Sequence, residues 1–143
     1  MNRMLTYIKK MHNKFGIPSE RVYFTDEEKK FRIECLKEEV QEYEEAINPE
    51  DELDALVDLV VFAFGTAERQ GMLDIFEDAF NRVMSANLSK EVGPNQKRGG
   101  FALDLVKPIG WQAADLTDLI EFTKDDKQET LKLFPGDFTN GSN

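Results

Sequence analysis

Residues 31–47, FRIECLKEEVQEYEEAI, place a carboxylate where a helix should be oily, and that conflict restricts the chain more than any other feature. An α-helix turns about 100° per residue. With Phe31 at zero, Cys35, Leu36, Val40, Tyr43, Ala46 and Ile47 fall in a stripe between roughly 40° and 180°. Glu39 comes out near ~80°, inside that stripe. Glu42, at ~20°, falls between Phe31 and Cys35 and so also counts as inside, and Glu38 sits just off the edge. Glu34, Lys37, Gln41, Glu44 and Glu45 fill the opposite side and read as a solvated face. Burying an ionised carboxylate without a partner costs several kcal/mol. Arg32, on the same stripe, can serve one acid but not the whole set.

The next helical pattern repeats the conflict. In EDELDALVDLVVFAFGTAERQG the apolar residues Leu56, Val57, Leu59, Val60, Val61, Phe62 and Phe64 reach almost every side. This predicts a helix buried nearly all round. Yet Asp51, Asp54 and Asp58 follow one another at single-turn spacing on one narrow stripe, which Gly65 continues, leaving room beside the acids. Between Glu34 and Asp58 there is one lysine, Lys37, so salt bridges cannot neutralise the acids. A divalent metal is the economical solution, because Mg²⁺ prefers oxygen ligands and carboxylates on facing helices can converge on it.

Around this pair the chain reads as helical. Met4, Leu5, Ile8, Met11 and Phe15 recur at helical spacing, with Gly16 as a stop. Thr25 is a good N-cap for a helix over residues 26–47, and Asn48 with Pro49 opens the third. A fourth covers LDIFEDAFNRVMSANLSK. After Lys90 the Gly- and Pro-rich texture predicts a loop with a small hairpin, and AADLTDLIEFTK a short helix. The expected fold is all-α: a four-helix bundle core with a C-terminal loop, a short hairpin and a short helix. The domain is expected over residues 1–122, with a partly disordered tail over 123–143.

Composition removes several functions. One cysteine, Cys35, and one histidine, His12, exclude an intramolecular disulfide and a Cys/His zinc site. Cys35 lies on the apolar stripe, where inert packing is expected, and His12 is read as a structural side chain of the first helix. A formal net charge of −10 argues against a nucleic-acid partner. With no apolar run of membrane length and no signal-peptide pattern, no membrane partner is expected, and the cytoplasm is the expected location.

The ordered segments resemble the all-α nucleoside triphosphate pyrophosphatase superfamily, the MazG-like and phosphoribosyl-ATP pyrophosphohydrolase-like proteins. MHNKFGIP is similar to its opening helix. Glu38-Glu39-Val40-Gln41-Glu42 matches its E-E-x-x-E motif. DALVDLVVFAFGTAERQG, FNRVMSANLSK and DLVKPIGWQAADLTDLI resemble its later signatures. One departure stands out. The usual second motif, E-x-x-D, fails because Glu52 leads to Ala55, and Asp51, Asp54 and Asp58 offer acids in another frame. Of these, Asp54 and Asp58 are favoured because apolar neighbours surround them.

The resemblance implies a Mg²⁺-dependent hydrolase, with Mn²⁺ as a substitute, that splits a nucleoside triphosphate into monophosphate and pyrophosphate by metal-activated water. It implies Glu39, Glu42, Asp54 and Asp58 as metal ligands and Glu38 as general base, and it places Asn87 and Lys90 near the substrate. Lys107 is a further candidate for substrate contact. Lys97 and Arg98 read as ordinary loop charge. Trp111 is open to two readings, stacking on a base or packing under the final helix. A homodimer or homotetramer is expected, because one four-helix layer cannot cover every side of the third helix. The alternatives are a phosphoribosyl-ATP or alarmone pyrophosphatase, and a non-catalytic acidic bundle that binds a basic protein.

Overall fold

The computed structural model describes residues 3–20 and 24–120, so the expected tail over 123–143 lies outside the described residues. The fold is all-α, with four long helices among the described residues: α1 (Arg3–Phe15), α2 (Asp26–Glu45), α3 (Pro49–Arg69) and α4 (Leu73–Leu88). Local chemistry sets their ends. The Thr25 hydroxyl accepts from the Glu28 amide at 3.2 Å, and Asp26, Glu27 and Glu28 put negative charge on the first turn of α2. Asn48 caps α3 and is bonded in both directions. Its Oδ1 accepts from the Asp51 amide at 2.9 Å, and its Nδ2 donates to the Asp51 carboxylate at 2.6 Å. Such a cap contributes about 1 kcal/mol. Gly71, at φ 65°, closes the end of α3, with its amide on the Glu68 carbonyl at 2.8 Å.

The described residues divide into two compact units, one up to Asp74 and the other over residues 75–120. In the first, α3 packs against both α2 and α1. Its core is small: Leu5 and Ile8 from α1, Cys35 from α2, Ala55 and Ala67 from α3, and Leu73. Cys35 is thus buried, as its place on the stripe predicts. Lys9 pairs with Asp74 at 2.5 Å.

Two expectations are corrected here. α3 is not buried nearly all round: Leu53, Leu56, Val57 and Val60 are 63%, 44%, 51% and 42% exposed. α1 and α2 each take one side of α3, and a further apolar side stays open. α2 also ends at Glu45 rather than at residue 47. Ala46 leaves helical geometry at ψ 133°, which turns Ile47 into solvent.

The second unit holds the rest of α4 and a two-residue antiparallel ladder, β1 (Glu91–Val92) with β2 (Leu105–Val106). This is the expected hairpin, with a 3-10 turn, Gln96–Arg98, in its loop. Arg82 forks onto Asp118, at 2.5 and 2.8 Å, and reaches the Asp115 carbonyl at 3.0 Å. That two-pronged geometry fixes the start of the expected short helix. The helix begins at residue 117 and continues to the last described residue, 120. Among the described residues no helix is long and apolar enough to cross a membrane.

Candidate active site

Glu39 is the buried carboxylate that the pattern predicts. It is 6% exposed, and its Oε2 has no hydrogen-bond partner among the described residues. Burial raises its pKa above the usual carboxylate value, and negative charge from Glu42, Asp58, Glu38 and Asp54 raises it further. Four acids from two helices therefore act on one enclosed carboxyl. α2 supplies Glu38, Glu39 and Glu42, and α3 supplies Asp54 and Asp58.

The enclosure is uneven, and this corrects the sequence reading. Glu42 and Asp54, expected inside, are exposed along with Glu38, and Asp58 is half-buried. The helix-to-helix seam covers Glu39 alone among them, and the others line its open edge. Asp51 is engaged elsewhere, since its carboxylate and amide both serve the Asn48 cap. Ala55, at the position where the family's usual aspartate would fall, is 2% exposed and belongs to the core.

The donor set suits a hard divalent cation: carboxylate oxygens only, one of them buried and unpaired, with no cation bonded to Glu39 among the described residues. No three of the described His, Cys, Asp and Glu side chains are gathered closely enough to hold one ion. The arrangement is thus a field of acids around one buried carboxylate rather than a closed cage.

A second polar cluster lies in the same unit, and sequence reasoning found only part of it. His12 is 2% exposed, and its Nδ1 has no partner among the described residues. Its Nε2 sits beside Gly65, where an added Cβ would stand 3.4 Å away, with an Arg32 nitrogen at 3.9 Å. Gly65 is therefore a notch for these two side chains. Buried Glu68 accepts from the Ser19 hydroxyl at 2.7 Å, and Arg69 pairs with Glu28 at 2.9 Å. Burial lowers the His12 pKa from 6.5; Glu68 opposes that shift, while Arg32 and Arg69 reinforce it. The neutral ring thus contributes stability that is present above about pH 6.5 and is lost as pH falls through the folded pKa. Glu68 escaped the sequence reading because a lone acid in the last turn of α3 looks solvated. The available signal was its place one turn after Gly65.

The second unit carries the other candidate residues. Asn87 is half-buried near the end of α4. Lys90 and Lys107 both lie over the Trp111 ring, 5.0 and 4.8 Å from its centre. Arg98 is bound to Asp104 at 2.6 Å, in keeping with its reading as loop charge.

Comparison with known families adds one match. The family model described as phosphoribosyl-ATP pyrophosphohydrolase covers residues 8–87, more than half of the chain, from α1 into the last turn of α4. No curated protein matches the sequence.

Proposed function

The chain belongs to the phosphoribosyl-ATP pyrophosphohydrolase family, within the MazG-like all-α superfamily, and from that premise we propose that it splits a nucleoside triphosphate, ribo or deoxy, into monophosphate and pyrophosphate with Mg²⁺ as its metal. Membership makes it a pyrophosphohydrolase of that superfamily, whose enzymes typically depend on divalent cations.

One observation carries the proposal. The buried Oε2 of Glu39 lacks a partner among the described residues, while burial and the surrounding acids push its pKa up. A buried carboxylate without a partner is costly when ionised, so a ligand cation is its natural complement. Glu39, Glu42, Asp54 and Asp58 would hold it once the exposed side chains of Glu42 and Asp54 turn toward it. A divalent ion there supplies positive charge against the phosphates and the leaving pyrophosphate. Glu38 is exposed and next to Glu39, so it can meet both solvent and the acid field, and it takes the proton from the attacking water. Asn87, Lys90 and Lys107 bind the phosphate oxygens, the lysines as compact charges with several donors each.

Phosphoribosyl-ATP is the second substrate reading, favoured by the description of the matching family. The deciding assay follows pyrophosphate and orthophosphate from the common nucleoside triphosphates and from phosphoribosyl-ATP, with Mg²⁺, Mn²⁺ or a chelator. Pyrophosphate is expected as the first product, with activity lost in the chelator. Orthophosphate as the first product would overturn the reaction class.

The uncovered side of α3 supports a homo-oligomer. Tyr7, Leu56, Val57 and Val60 line an apolar groove of about 300 Å³ between α1 and α3. Burying such side chains is worth about 25 cal/mol per Å². Sedimentation at micromolar concentration should give two or four times the mass of one chain. A single-chain mass would refute assembly.

A further inference from the structure

Lys90 and Lys107 stand at the open end of the β1–β2 ladder. Glu91 pairs with Val106 and Val92 with Leu105 in antiparallel register. One step outward, the same register sets Lys90 across from Lys107. Like charges directly opposite on an antiparallel pair repel each other. Among the described residues no carboxylate is bonded to either lysine; Asp104, next to β2 in the chain, is taken by Arg98.

What stands in for a carboxylate is an aromatic face. Both ammonium groups lie over the indole of Trp111, at 5.0 and 4.8 Å from the ring centre. The ring is itself anchored, because its Nε1 donates to the Ala86 carbonyl in α4 at 2.8 Å. Tryptophan offers a cation the most favourable π face of any side chain. Trp111 thereby offsets the repulsion without cancelling the charge, and two cations stay together in a chain of net charge −10. A paired carboxylate would have neutralised them; an indole leaves them free to meet an anion.

We propose that Trp111 is the positioning residue of a polyphosphate subsite made by Lys90 and Lys107. It holds the two ammonium groups close enough to engage adjacent phosphoryl groups of one phosphoanhydride chain. This rests on the assignment of the two lysines to substrate, and it adds the residue that makes them act as a pair. The ligand class follows from the site: two compact cations that share one indole suit a di- or triphosphate tail better than a single carboxylate.

Trp111 is the only tryptophan in the chain, so its emission reports on its own site. The test titrates the full chain with inorganic tripolyphosphate in metal-free buffer and follows both heat and tryptophan emission. The wild type should show a saturable emission change that tracks binding. Lys90→Ala with Lys107→Ala should weaken binding at least tenfold and remove the emission change. Trp111→Leu, read by heat alone, should weaken binding about tenfold, whereas Trp111→Phe, which keeps an aromatic face, should recover most of it. Equal affinity in Trp111→Leu and wild type would overturn the positioning role. So would a flat wild-type emission, a measurement that does not depend on any variant folding. Pyrophosphate release by the same wild-type preparation separates the failures. Normal release with no tripolyphosphate response removes the subsite alone, and binding without release removes the reaction instead.

Discussion

Glu39→Gln is expected to reduce turnover by at least about a thousandfold, the scale on which loss of a central electrostatic group is felt, while the protein stays folded. The substitution keeps shape and removes one charge from the buried centre of the acid field. Its effect on stability has a definite sign. Burial and the acids around it raise the Glu39 pKa from 4.5 in the folded state. Without metal, the contribution of the protonated carboxyl is fully present below pH 4.5 and is lost as pH rises through the folded value. Metal-free Glu39→Gln should therefore melt at or above the wild type near neutral pH, and the gap should narrow on acidification. A folded variant with wild-type turnover would remove the metal-site assignment.

The second large effect is thermal. An ion that binds only the native state, supplied at a hundred times its Kd, stabilises by about 2.7 kcal/mol. For a chain of this size that corresponds to a rise in Tm of roughly 10 °C. Mg²⁺ and Mn²⁺ should each produce it, and Glu39→Gln should abolish it. Lys90→Ala should keep the full shift, because its proposed partner is phosphate. An acidic bundle that merely binds a basic protein would give no shift with either ion, so differential scanning fluorimetry with and without metal separates it from the hydrolase.

Helix starts were legible in the sequence because their causes are local. Thr25 and Asn48 each need only the next three residues to act as caps, and both do so in the structure. Glu39 was legible for a related reason: a single helical period places it among apolar neighbours. The degree of enclosure was not, since it depends on how α2 and α3 meet. Glu42 and Asp54 share faces with buried residues yet lie at the edge of the seam, where solvent reaches them. The same limit hid the cluster of His12, Arg32, Glu68 and Arg69, which three helices assemble, the first two against the notch at Gly65. Trp111 was ambiguous from its neighbours alone, because its relation to two lysines depends on the register of a ladder two residues long.

Ala55 governs how this helix can drift through a lineage. It lies between two acids of the site yet is 2% exposed, so the position tolerates little beyond a methyl group. A mutation to aspartate there would restore the spelling of the family's usual motif and bury a charge at a cost of several kcal/mol. The acids of α3 can instead share the duty between positions 54 and 58, which lie on one face of the helix. Descent in such a protein preserves an orientation while the written pattern slides, and a search keyed to fixed letters would discard sequences that still present the same face.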